Sequence, residues 1–144
     1  MPTNDPGPDP GPATDDIGRS ACLALLGAEG IGRVAVSIGA VPAVFPVHYA
    51  MLDGEIVFRT AGGTSLDAAL RNAVVAFEVD DVDPLHHGGW SVLVVGTADE
   101  ITDVDTRTRA EELAWRPRRT SADVHVMAIR PELISGRRVA VSPV

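Results

Sequence analysis

Apolar and polar residues alternate along much of this chain, and the alternation is broken at glycine, proline and aspartate. Residues 31–38 alternate as a first strand, which Gly39 and Ala40 can turn. Residues 41–52 form a longer second strand, with Ala43, Phe45, Val47 and Tyr49 on one side. Asp53-Gly54 separates that run from another at 55–61. Both central positions of a tight hairpin turn want positive φ, so the pair predicts that the second and third strands are antiparallel. Further strands are expected at 74–80, 90–101 and 123–130, with 137–141 extending the last. Helical spacing occurs only in short pieces, at 20–26, 64–72 and 103–114, the first with Gly27 and Gly30 placed to end it. Six strands joined by hairpin-type links predict a mainly β fold, a small antiparallel barrel with a few short helices. Residues 1–16 are rich in proline and aspartate and hold almost nothing apolar, too little to offset the entropy of ordering. They are expected to be a disordered tail, and 17–144 the folded domain.

At 144 residues the chain is long enough to bury one core. Apolar residues are 45% of it but aromatics only 4%, so Val, Ala, Leu and Ile must fill that core. The formal net charge of −8 argues against the broad basic face that nucleic-acid binding needs and against docking on an anionic membrane, yet leaves room for a local basic pocket. Cys22 is the only cysteine, which excludes an internal disulfide, and it reads as a small apolar helix residue. No apolar run approaches the ~20 residues of a membrane span. No basic-then-apolar leader opens the chain, so a cytoplasmic protein is expected.

No nucleophile elbow, Walker loop, dinucleotide fingerprint or zinc-protease motif is present. The expectation is a protein that binds without reacting or lets a cofactor carry the chemistry. The place for a cofactor is Phe58-Arg59-Thr60-Ala61-Gly62-Gly63-Thr64-Ser65-Leu66, a strand end, a glycine turn and a helix start. A helix start offers unpaired N–H groups and the positive end of the dipole. Arg59 adds a planar fork suited to a phosphate, and Thr60 and Thr64 add hydroxyls. The same residues equally describe a surface arginine beside an ordinary threonine cap, and spacing does not choose between the two. Pro46 stands inside an otherwise good strand, so it marks an edge, a bulge or a split in the barrel, where a peptide released from the ladder can hydrogen-bond a flat heterocycle. His48 shares the face of Val44, Pro46 and Ala50, either as a structural histidine or as a partner to that heterocycle. His86 and His87 follow Asp80, Asp81 and Asp83 without metal-ligand spacing, and no metal is expected. Trp115-Arg116-Pro117-Arg118-Arg119 is a basic, proline-broken loop that either ends a helix or guards a site.

Gly32-Arg33-Val34-Ala35, the run from Val41 to Tyr49, Phe58-Arg59-Thr60, Gly63-Thr64-Ser65-Leu66, and the runs from Val75 to Asp80, Gly89 to Gly96 and Ile134 to Val139 follow one another in a characteristic order. This series, spanning 17–140, resembles the pyridoxamine 5′-phosphate oxidase-like family, specifically its short bacterial members with an FMN-binding split barrel, whose relatives include nitroimidazole-resistance reductases. The resemblance implies a six-stranded antiparallel split β-barrel of Greek-key type, homodimeric, with FMN between the two subunits. It implies that Pro46, Val47 and His48 line the isoalloxazine ring, that Arg59 and Thr60 approach the ribityl phosphate, and that Thr64, Ser65 and Leu66 cradle it. Trp90 and Ser91 would close the site, from the partner chain. Many relatives carry lysine where this chain has Ser65, which removes a charge-assisted hydrogen bond worth about 1.5–3 kcal/mol; Arg137 or Arg138 could compensate. The activity implied is an FMN-dependent oxidoreductase moving a hydride between a reduced coenzyme and a small-molecule substrate, with no catalytic side chain singled out. Two alternatives stand beside it: a reductase of the same fold using a deazaflavin coenzyme, and a non-catalytic protein that holds a flavin, haem or similar flat ligand.

Overall fold

The structure is a computed structural model of the chain and describes residues 14–83, 85, 88–113 and 123–140. Within them the order is β1 (Thr14–Ile17), α1 (Arg19–Leu26), β2 (Glu29–Ile38), β3 (Val41–Leu52), β4 (Glu55–Ala61), α2 (Ser65–Ala69), β5 (Ala73–Asp83), β6 (Gly88–Glu100), α3 (Val104–Glu111) and β7 (Val124–Ala140). The strands join antiparallel in the order β1-β7-β4-β3-β2-β5-β6, and β6 pairs again with β7. Strands β2 to β7 therefore close a ring of six, the split barrel expected from the sequence, and β1 adds on to β7 outside the ring.

Several boundaries differ from the expected ones, among them the start of β2 at Glu29 and the end of β5 at Asp83. The strand pieces at 123–130 and 137–141 are one strand, β7. A register shift between Val95 and Gly96 keeps β7 in its ladder past Pro131. Gly96 is required there, because a Cβ on it would lie 2.1 Å from the Arg130 carbonyl oxygen. Strand β1 begins at Thr14, inside the segment expected to be tail, and residues 1–13 lie outside the described residues. Helices α2 and α3 are shorter than 64–72 and 103–114: Thr64 and Asp103 are their N-caps, accepting from the N–H groups of Asp67 and Thr106, and Leu70 and Glu112 are their C-caps.

Alternation puts one face of each strand inside. Phe45, Val34, Phe77, Val94 and Ile134 stand side by side across five strands, and Phe77 is fully buried at the centre. The Tyr49 ring meets Phe77 edge-on at 5.0 Å and 76°, while its hydroxyl donates to the Leu26 carbonyl and ties α1 to the barrel. Outside the ring, Ala110 of α3 covers Ala50, Val57 and Val126.

The turn at Asp53-Gly54 has the positive φ expected, 52° and 78°. The turn at Gly39-Ala40 does the same, which leaves Ala40 at φ 66°. A Cβ in that region is strained, so Ala40→Gly is expected to stabilise the fold by about 1 kcal/mol, read as a higher urea midpoint at unchanged slope.

Candidate functional site

Strands β3 and β4 pair only between Tyr49–Leu52 and Glu55–Phe58. Beyond Tyr49 and Phe58 they part, β3 continuing along β2 and β4 continuing along β7. The two-residue turn at Gly39-Ala40 decides which main-chain groups face the opening. It makes Ile38 and Val41 a hydrogen-bonded pair, so Pro42, Val44, Pro46 and His48 turn their backbone groups away from β2 and toward β4. Two of these are prolines, which have no N–H to present, and an edge short of donors resists pairing with another strand. Pro46 thus sits at a split, one of the three places its residue type permits.

His48 is partly buried beside this opening, and its Nδ1 is buried without a hydrogen-bond partner among the described residues. Such an atom costs free energy unless something polar meets it. Pro46 is exposed on the same outer face, whereas Val47 turns inward against the core. On β4, Arg59 is partly exposed on the outer face opposite Val126, just past the last residue paired with β3. Ser65 is exposed, and Leu66 packs on the core.

Thr60 faces the other way and is buried; its hydroxyl donates to Asp67 Oδ1 at 2.8 Å. Thr64 donates to the Ala61 carbonyl at 2.8 Å and accepts from the Asp67 N–H at 3.2 Å. Two hydroxyls expected at the phosphate therefore fasten α2 onto β4. The Ser65 hydroxyl and the N–H groups of Ser65 and Leu66 stand at the start of α2, where first-turn amides lack an intrahelical carbonyl.

Sequence patterning gives little hint of the centre of this arrangement, Asp67. It is 5% exposed and also receives His125 Nδ1 at 2.8 Å and Arg71 Nη2 at 3.1 Å. Arg71 Nη1 reaches Glu100 Oε1 at 2.6 Å, and Arg107 on α3 lies 3.9 Å from Glu100 Oε2 while donating to the Val124 carbonyl at 3.0 Å. Arg71 Nη2 also lies 3.1 Å from His125 Nδ1. Arginine only donates, so the shorter Asp67 contact assigns Nδ1 its proton. Burial pushes the Asp67 carboxyl up, but hydrogen bonds from His125, Thr60 and Arg71 outweigh it and hold the group below the usual range. The Asp67 hydrogen bond raises His125 above its ordinary value against some desolvation, with the charges of Asp67, Glu100 and Asp123 adding to the effect. The one signal in the sequence is Asp67 three residues after Thr64, a spacing that also fits simple capping.

A second charged group lies on the outer face near Pro46. Arg33 Nη1 is 3.3 Å from both Glu78 Oε2 and Asp80 Oδ2. Burial first, and then the neighbouring Asp80 carboxylate, push Glu78 up to about 7 against the pull of Arg33.

Trp90 packs against the core, and neither it nor Ser91 stands in the ladder beside the 58–66 residues. They stand on β6 opposite Arg138 and Arg137 of β7, whereas Arg59 stands opposite Val126. Val126 and Arg138 are twelve residues apart, which at about 3.3 Å per residue is about 40 Å of strand path. His86, His87 and the basic loop at 115–119 lie outside the described residues.

A family model described as pyridoxamine 5′-phosphate oxidase matches residues 18–138. In Mycobacterium tuberculosis, the uncharacterized protein Rv0080 is 35% identical over 129 residues, covering 86% of this chain and 84% of its own length. Among solved structures, the FAD binding protein from Mycobacterium smegmatis is similar with a TM-score of 0.81 at 30% identity, over 89% of this chain and 100% of that one. A FAD-binding protein from Mesorhizobium loti is similar with a TM-score of 0.73 at 25% identity, over 88% of this chain and 99% of its own.

Proposed function

The chain belongs to the pyridoxamine 5′-phosphate oxidase family, and from that premise we propose that it is a flavin-dependent oxidoreductase acting on a small molecule, its cofactor held at the interface of a homodimer. The observation that carries this reading is the parted β3–β4 edge beside the buried, unpartnered Nδ1 of His48. These groups fit a flavin. The carbonyl of Pro46 and the main chain and imidazole of His48 offer acceptors and donors to the edge of a flat ring. Arg59, Ser65 and the first amides of α2 suit its ribityl phosphate. Thr60 and Thr64 orient α2 from behind, and Val47 and Leu66 keep that wall packed. A bound flavin supplies hydride transfer, and the protein supplies position and polarity.

FMN and FAD share the ring and the ribityl phosphate, so this cradle serves either. The two similar proteins described as FAD binding make FAD the first nucleotide to test.

The homodimer is supported by the outer face. Val44, Ala35, Ala76, Val95 and Leu133 stand side by side across five strands, with Val74 and Leu93 nearby. Val44, Val74 and Leu133 are 63%, 71% and 68% exposed. Apolar surface of that continuity calls for a cover, and a second copy is the simplest one. No helix among the described residues is long and apolar enough to cross a membrane, and we place the enzyme in the cytoplasm, where its lone Cys22 stays reduced.

Untagged protein from its own host is expected to be yellow, to release a ligand with the mass of FAD or FMN, and to bleach anaerobically with NADH or NADPH. A released deazaflavin mass would move the activity to that coenzyme. A bound chromophore that neither nicotinamide bleaches would replace the oxidoreductase with a holding protein, and failure to bind any flavin would remove the site.

A further inference from the structure

Building on the flavin reading, we propose that His125 is a positioning residue for the phosphate end of the site, acting through Asp67 on α2 and through Asp123 at the glycine turn. His125 stands opposite Thr60 in the β4–β7 ladder. Its Nδ1 is 2.8 Å from Asp67 Oδ1, and its Nε2 is 3.5 Å from Asp123 Oδ1. Asp67 fixes α2 through Thr60 and Thr64. Asp123 stands over the turn leading into α2: the Gly62 N–H donates to the Asp123 carbonyl at 3.0 Å, and a Cβ on Gly62 would lie 2.4 Å from Asp123 Oδ2. One imidazole therefore touches both the carboxylate that anchors the helix and the carboxylate that overhangs its approach.

The charges around it are predominantly negative. Asp67 and Arg71 face it from α2 and the turn after it, Glu100 from β6, with Arg107 of α3 and its partner Glu111 beyond, and Asp123 from its own segment; Thr60 of β4 is neutral. Four carboxylates stand against two guanidiniums. Protonated His125 cuts the excess from two negative charges to one, whereas uncharged His125 leaves both beside the turn where a phosphate would bind, and like charges repel. Linkage makes the effect reciprocal: a phosphate at α2 favours protonated His125, and protonated His125 favours the phosphate. The hydrogen bond to Asp67 and the surrounding carboxylates raise the His125 titration above its ordinary value.

The test is affinity for FAD and for riboflavin, which lacks the phosphate, from about pH 6 to about pH 9. FAD is the better probe, because its pyrophosphate does not titrate in that range whereas the FMN phosphate does, near pH ~6. In the unmutated protein, FAD affinity is expected to fall roughly fivefold as pH rises through the His125 titration, while riboflavin affinity stays level. His125→Gln keeps a donor for Asp67 but no charge, so it should hold FAD at its weak, high-pH affinity throughout. His125→Lys should keep the tight affinity throughout. If His125→Gln retains the original pH profile, or loses riboflavin as much as FAD, the proposal is overturned and His125 only supports the fold. If the unmutated protein prefers FAD over riboflavin at no pH, the phosphate site itself is wrong and the proposal goes with it.

Discussion

Arg59→Ala is expected to weaken FAD and FMN binding roughly ten- to a hundredfold, the equivalent of one charge-assisted hydrogen bond of about 1.5–3 kcal/mol. Arg59 lies on the outer face of β4, where the strand has left β3, and is partly exposed. Its removal opens no cavity in the core, so its cost in stability should be well below that of a core truncation. Riboflavin affinity should not change, which separates loss of a phosphate partner from damage to the ring site. Isothermal titration of the three ligands against both proteins checks this. Equal FAD affinity in the variant would remove the guanidinium from the site, and the cradle would then rest on the α2 amides and Ser65 alone.

Phe77→Ala is expected to be the most destabilising single change in the core, costing about 3–5 kcal/mol. The ring is fully buried in the row that crosses the inner face and meets Tyr49 edge-on. Little can fill its place: the end of the ring lies over Gly32, two residues from its β2 partner Val34, and a Cβ on that glycine would lie 2.2 Å from it. A site that cannot collapse sits at the upper end of the range. A urea midpoint lowered at unchanged slope is the expected result. A cost under about 1 kcal/mol would mean that the inner row is not packed around Phe77. Together the two variants are expected to divide the molecule, with Arg59→Ala read in phosphate binding and Phe77→Ala in stability.

Much of the architecture is legible in the amino-acid sequence. Period-two alternation marks the strands, Asp53-Gly54 and Gly39-Ala40 mark their hairpins, and Pro46 marks a place where a ladder must fail. These are local properties, set by side-chain alternation, the sterics of φ and a missing N–H, and a residue carries them wherever the chain goes. The partnerships of the polar side chains are not legible in the same way. Thr60 and Thr64 read as phosphate ligands, yet their hydroxyls hold Asp67 and the Ala61 carbonyl. His125 belongs to no motif, although ring closure sets it opposite Thr60 and against a buried carboxylate. Trp90 follows the site residues in sequence order, yet register carries it to a distant part of β7. Alternation reveals which face of a strand a residue occupies, whereas its partner depends on which strands close the ring and in what register, and that is set by burying all inner faces at once. The chain alone therefore determined the strands, the turns and the weak point in the ladder; the folded barrel decided which of its polar groups hold one another and which stand at the opening.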